Sequence, residues 1–284
     1  MRRVIIPTDF SVNAKNALTQ AIRFFSKEYC EFYIIHAYAD ETYENNKQLS
    51  RGLFNDVKEL NKANSNEKLM ELLEYAQKTS TSLKHHFKIR SVFQSLVDAI
   101  DDIVNQEEVD IVIMGTQGVT NSQSIALGSQ TLQVIKYVDC PVLMIPPGYI
   151  FKLPQQILFP TNYLVPYSKR ELKLLDYLGK DFKSTIHFLH QANSNKLSHR
   201  KEDNKSFLEE NLSDCKQQLH TIKGDNLIDT INNFISNNTV DLLVMVNSRE
   251  TYLENILHKT TVDKIGVNVK IPFLVMQNVD RCYC

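Results

Sequence analysis

Val109-Asp110-Ile111-Val112-Ile113-Met114-Gly115-Thr116-Gln117-Gly118, followed after nine intervening residues by Gly128-Ser129-Gln130-Thr131, is the stretch on which the fold turns. Ile111 to Met114 is an unbroken apolar run of strand length, the pattern of a strand buried on both faces of a parallel sheet. Glycines directly after such a strand let the backbone turn with positive φ and approach a ligand where a Cβ would collide. Gly128 and Ser129 then open the next helix, whose unpaired amides and positive dipole end favour a phosphate. Ser129 and Thr131 add hydroxyl donors. The pattern reads as a strand, a phosphate cradle and a helix.

Working outward, residues 95–144 align without a gap on residues 226–275. Leu96, Asp98, Ile100, Val109, Asp110, Met114, Pro141 and Leu143 fall on Leu227, Asp229, Ile231, Val240, Asp241, Met245, Pro272 and Leu274. Self-similarity in one frame marks a duplicated unit. The starts agree too: Val4-Ile5-Ile6-Pro7-Thr8-Asp9 resembles Ile157-Leu158-Phe159-Pro160-Thr161-Asn162, and Ile35-His36 resembles Leu189-His190. Within the first unit, short apolar runs at 4–7, 32–37, 86–92, 111–114 and 142–145 alternate with helical spacings. Ala14, Ala17, Leu18, Ala21, Ile22 and Phe25 mark the first helix, with Ser11 as its cap. Leu69, Leu72, Leu73 and Ala76 mark the second; Ser95 and Asp98 open the third as a capping box. Five strands and four helices per half predict a sheet covered on both faces. Residues 40–66 and 193–205 break this rhythm. They read as solvated loops or frayed helix, or as covers over the strand ends where ligands of open α/β sheets bind.

Composition bounds the function. The 284 residues are 43% hydrophobic and 23% charged, an ordinary globular balance and long enough for two domains. A net charge of −1 removes the broad attraction on which nucleic-acid and anionic-membrane binders rely. No apolar run is long enough to span a bilayer, and the polar start argues against a signal peptide, so the expected location is cytoplasmic. Five scattered cysteines fit a reducing compartment. His85-His86, His36, His190 and Cys282-x-Cys284 do not supply four ligands at zinc spacing, so no metal site is expected.

The Gly-x2-Gly-x9-Gly-Ser spacing, with the opening Pro7-Thr8-Asp9-Phe10-Ser11, resembles the universal stress protein family and its ATP-binding branch, over both halves. That resemblance implies two tandem doubly wound α/β domains, each a five-stranded parallel sheet in the order 3-2-1-4-5. The domains would run 1–148 and 149–284, with the break in the Pro146-Pro147-Gly148 to Pro154 stretch. The resemblance further implies that the domains pair through their fifth strands as an intramolecular pseudo-dimer, with a homodimer as a further option. Pro7, Thr8 and Asp9 would border the adenine, Asp9 accepting from its amino group, and Ala37 would touch the base through its backbone. Met114, Gly115, Gln117 and Gly118 would line the ribose and phosphates; Gly128, Ser129, Gln130 and Thr131 would surround the phosphate tail. The ligand would be ATP, ADP or AMP, with or without Mg. Simpler readings stand beside these: Asp9 can organise a turn, and the glycines can serve a crossover with no ligand.

In the second half Gly115 becomes Val246, Gly118 becomes Arg249, Gly128 becomes Lys259, Asp9 becomes Asn162 and Ser129 becomes Thr260. Side chains then fill the cradle, so no ATP site is expected there, although Arg249 and Lys259 could form a separate anion site. No Gly-x4-Gly-Lys-Ser/Thr or Gly-x-Gly-x-x-Gly occurs, and no set of metal-holding carboxylates accompanies the cradle. The expectation is a non-catalytic adenine-nucleotide sensor acting on a protein partner in a stress response. The alternatives are a nucleotide-independent interaction scaffold and a slow ATP hydrolase.

Overall fold

The computed structural model describes residues 1–45, 50–116, 127–192, 197–223, 226–247 and 270–278. Contacts within the chain separate them into two units, one ending at Phe151 and one starting at Lys152.

In the first unit β1 (Arg2–Pro7) leads to α1 (Val12–Phe24), β2 (Cys30–Ala37), α2 (Ala39–Asn45), α3 (Arg51–Thr79), β3 (His85–Val92), α4 (Leu96–Glu107), β4 (Ile111–Gly115), α5 (Ser129–Tyr137) and β5 (Val142–Ile145). All strands are parallel, in the order β3-β2-β1-β4-β5. The chain winds from β1 out to β3, then returns past β1 to β4 and β5. With right-handed crossovers, this reversal puts α1 and α3 on one face and α4 and α5 on the other. The strands can be almost wholly apolar because both faces are covered: Val4, Ile5, Ile6, Phe32, Ile34, Val112 and Ile113 have no exposed surface. Each such side chain contributes about 1.5–3 kcal/mol on burial.

Local signals set the helix ends. Ser11 Oγ accepts the Ala14 N–H at 3.1 Å and starts α1. Ser95 Oγ accepts the Asp98 N–H at 3.2 Å and starts α4, with the Asp98 carboxylate taking the Ser95 hydroxyl at 2.7 Å. Of the solvated loop or frayed helix expected at 40–66, the described residues are helical: Asp40–Asn45 belongs to α2, and Arg51 onward to the long helix α3. Only Ser65, Leu69, Leu72 and Ala76 of α3 are buried. Its first half packs Phe54 against Tyr43 and Lys58 over Phe93, and carries too few apolar residues to betray a helical period. Among its described residues the first unit therefore has five helices, one more than expected.

The second unit repeats the plan with β6 (Gln156–Pro160), α6 (Lys169–Asp181), β7 (Thr185–Gln191), α7 (His199–Asn211), β8 (Lys216–Ile222), α8 (Leu227–Asn237), β9 (Leu242–Asn247) and β10 (Phe273–Gln277). Its parallel order, β8-β7-β6-β9-β10, is the same as in the first unit. The polar stretch 193–205 is helical from His199 onward. Correspondence extends to single bonds. Asp110 Oδ2 accepts the Arg3 N–H at 2.8 Å, and Asp241 Oδ2 accepts the Gln156 N–H at 2.9 Å, joining the head of the first strand to the fourth in each unit.

Candidate functional site

The turning point of the strand order lies between β1 and β4, and open α/β sheets bind ligands beyond the carboxyl ends of strands at such a point. Pro7, Ala37 and Gly115 end β1, β2 and β4 respectively. Pro7 is the last β1 residue to pair with β2, opposite Ile35. The Thr8 N–H donates to the Ile35 carbonyl at 2.9 Å, and Ala37 lies two residues beyond, its backbone turned the same way toward the crevice.

The turn after β1 is built by its own side chains. Buried Thr8 accepts the Phe10 N–H at its hydroxyl at 3.0 Å, and Asp9 Oδ1 accepts the Ser11 N–H at 3.0 Å. Together they hold Phe10 at φ 62°, a left-handed conformation rare for a residue with a side chain. Asp9 thus organises the turn while its side chain stands exposed at the crevice. The same corner recurs in the second unit, where Thr161 accepts the Tyr163 N–H at 3.0 Å, Asn162 accepts the Leu164 N–H at 2.9 Å and Tyr163 has φ 57°. The corner therefore needs no glycine motif and no carboxylate charge.

Behind it lies His36, 8% exposed, with its ring 4.4 Å from that of Phe10. Its Nδ1 is 2.9 Å from Ser65 Oγ, which is 2.6 Å from Ser91 Oγ, so α3 is tied to β2 and β3 beneath the crevice. Burial, helped by the nearby Lys68 charge and opposed by Asp9, lowers its pKa to about 4, so the ring is neutral at pH 7. Neither Ser65 nor Ser91 stood out in the sequence, because both sit in stretches without motif.

Across the crevice, Met114 is buried and Gly115 half-buried. The positive φ expected of the glycines just after β4 does not occur at Gly115; Gly128, at the helix start, has φ −64°, and among the described glycines only Gly148 is left-handed. A Cβ at Gly115 would meet Asn13 of α1 at 3.4 Å, an ordinary contact. Neither backbone strain nor crowding by the protein requires glycine there. Thr116, also buried, accepts the Gly128 N–H at 2.8 Å and donates its own N–H to the Ile145 carbonyl at 3.0 Å. This closes the base of the excursion that leaves β4. Gln117 and Gly118 lie outside the described residues.

Gly128 is the N-cap of α5, at φ −64° and ψ 156°. It has no side chain to cap the helix, unlike Ser11 on α1 and Ser95 on α4. Ser129 and Gln130 are exposed in the first turn. Thr131, 3% exposed, has its hydroxyl donating to the Gly115 carbonyl at 3.2 Å, so it locks α5 to the end of β4. Gln130 Nε2 donates to Asp40 Oδ2 of α2 at 3.2 Å. Asp40 was not among the residues singled out from sequence, since a lone acid in a polar stretch carries no signal. In the second unit Val246 occupies the Gly115 position and is buried, while Arg249, Lys259 and Thr260 lie outside the described residues. Among the described residues no group of three or more His, Cys, Asp or Glu could hold a metal, and no helix is long and apolar enough to cross a membrane.

Fold and crevice together define a protein of two doubly wound α/β units, the first with a bare-backbone cradle at its switch point. The sequence profile of the universal stress protein family matches residues 1–146, half of the chain, and the chain belongs to that family. Universal stress protein MJ0577 of Methanocaldococcus jannaschii is 33% identical over 154 residues, covering 51% of this chain and 94% of its own. A universal stress protein from Archaeoglobus fulgidus matches along the whole length, with a TM-score of 0.70 at 16% identity over 98% of this chain and 97% of its own. The cytoplasmic domain of a prokaryotic cation chloride cotransporter also superposes, with a TM-score of 0.58 at 11% identity over 96% of this chain and 94% of its own. The last two likenesses concern the fold alone, which serves more than one purpose.

Proposed function

We propose that the first unit of this stress protein binds an adenine nucleotide and that the second unit does not. The observation that carries the reading is the junction of β4 and α5. Thr131 fixes the Gly115 carbonyl, and Gly128 begins a helix whose first amides have no side-chain cap. An anion is favoured at such a helix start, and bare backbone lets it approach. Asp9 stands across the switch point, where an exposed acceptor suits the amino group of adenine. ATP, ADP and AMP share that group. A Mg ion would arrive with the phosphates, since the cradle itself offers backbone and hydroxyl groups.

The nucleotide acts in this reading as a signal and not as a substrate. A protein partner would read the surface that the bound nucleotide changes. The domains would be 1–148 and 149–284, in keeping with the change of contacts at Lys152, and the setting would be the cytoplasm. The test is to denature the purified protein and analyse what it releases. Adenine nucleotide at up to one per chain is the expected result. A protein that carries none, and whose proteolysis at residues 116–131 is unchanged by added ATP, contradicts the reading.

A further inference from the structure

At the amino-terminal ends of β6, β7 and β8, far from the crevice ends of these strands, the second unit has a cleft of about 730 Å³. Lys152, Gln156, His187, Gln218, Asn238 and Asp241 are among its lining residues. His187 Nε2 is 2.7 Å from Gln156 Oε1, and His187 Nδ1 is 3.0 Å from His220 Nε2. The amide oxygen can only accept, so His187 carries its proton on Nε2 and presents a lone pair at Nδ1. His220 then donates from Nε2. The planes of the two rings are only 26° apart, which suits a proton shared edge to edge. Phe234 of α8 packs on both, its ring 5.9 Å from His187 and 4.9 Å from His220.

Strand registers and the repeat frame place Tyr33, Arg90, Lys88, Arg3 and Glu107 of the first unit where His187, His220, Gln218, Gln156 and Asn238 stand in the second. There the space is filled by ions. Lys88 meets Glu31 at 2.7 Å, Arg90 meets Glu107 at 2.9 Å and the Tyr33 hydroxyl donates to Glu107 at 2.9 Å. Side chains held by permanent charge in one unit are thus replaced in the other by two imidazoles, whose charge depends on pH.

We propose that His187 and His220 act as one proton-responsive element, which holds α8 on β7 and β8 while the rings share protons and loosens α8 when both rings are charged. Two imidazolium rings cannot donate to one another, and their facing N–H groups and like charges drive them apart. The charged groups facing the pair are few. Lys216 on β8 and Lys152 at the cleft oppose protonation, Asp241 at the head of β9 favours it, and α8 has no charged residue between Thr230 and Asn238. Burial first, then the neighbouring ring and Lys216, lowers the pKa of His187; burial lowers that of His220. The pair is therefore neutral at pH 7 and responds only as the medium turns acid.

Two readouts on the full chain test this: imidazole NMR titrations, and hydrogen exchange of α8 and β8 amides at pH 7 and pH 5, corrected for intrinsic rates. The wild type should show coupled titration of His187 and His220, with a several-fold loss of α8 protection at pH 5. His220→Gln keeps a donor for His187 Nδ1 but cannot charge. It should retain most α8 protection at pH 5 and give a single-step curve for His187. His220→Phe keeps a ring against Phe234 but offers His187 no donor; it should start from weaker α8 protection at pH 7 and lose little more by pH 5. Independent single-step titrations in the wild type, or an equal loss of protection in all three proteins, would overturn the proposal.

Discussion

Acid should loosen the first unit through His36. The ring is buried against Phe10 and its pKa is about 4 in the folded chain, against an ordinary 6.5. Because the folded value is depressed, the unfolded chain takes up the proton first. The stabilisation is present in full above pH 6.5 and is lost as the pH falls toward 4. At pH 4.5 the linkage amounts to about 2–3 kcal/mol, and solvent screening reduces it little for a ring so enclosed. His85, His187, His190 and His220 are also shifted down by burial, so the informative quantity is a difference between two proteins. His36→Gln can keep the bond to Ser65 without titrating. Hydrogen exchange of β2 and α3 amides reports the first unit separately. Between pH 7 and pH 4.5 the wild type should lose about 2–3 kcal/mol more than His36→Gln at these amides. Equal losses would refute the assignment of a neutral, enclosed imidazole at this corner.

Four substitutions probe the crevice and the helix starts. Thr131→Val removes the donor to the Gly115 carbonyl and should cost about 1 kcal/mol in urea denaturation, together with a fall in ATP affinity. Asp9→Asn should leave stability within about 0.5 kcal/mol, since Asn162 makes the same turn bond, yet weaken ATP binding roughly fivefold in calorimetry through loss of a charged acceptor. Ser95→Ala and Asn226→Ala should each cost about 1 kcal/mol, read from amide exchange in α4 and α8, because both residues cap their helices through a first-turn amide.

Much of the framework was legible because the physics that makes it is local and periodic. A strand buried on both faces must be apolar throughout, so β1, β2, β4 and β5 announced themselves. The frame linking residues 95–144 to 226–275 carried that reading into the second unit, where β9 and β10 begin at the expected places. Ser11 and Ser95 marked helix starts by their own hydroxyls. The first half of α3, and α7 with Leu208 as its one buried residue, were not legible, since a helix largely exposed to water leaves no apolar stripe. At the crevice, sequence located Gly115 and Gly128 but misjudged the conformation of Gly115. Glycine is permitted at φ > 0 and not confined to it. The ties from Ser65 to His36 and from Asp40 to Gln130 join residues distant in the chain, and no local pattern encodes such a pairing.

Calorimetric titration of ATP into the native chain and into Gly115→Val puts the account to its most direct test. Val246 already occupies this position in the second unit, and the backbone at Gly115 is not left-handed, so the variant should fold with an unchanged circular dichroism spectrum. One ATP per native chain and none for the variant is the predicted outcome. Two per chain, none in the native protein, or native affinity in Gly115→Val would contradict it.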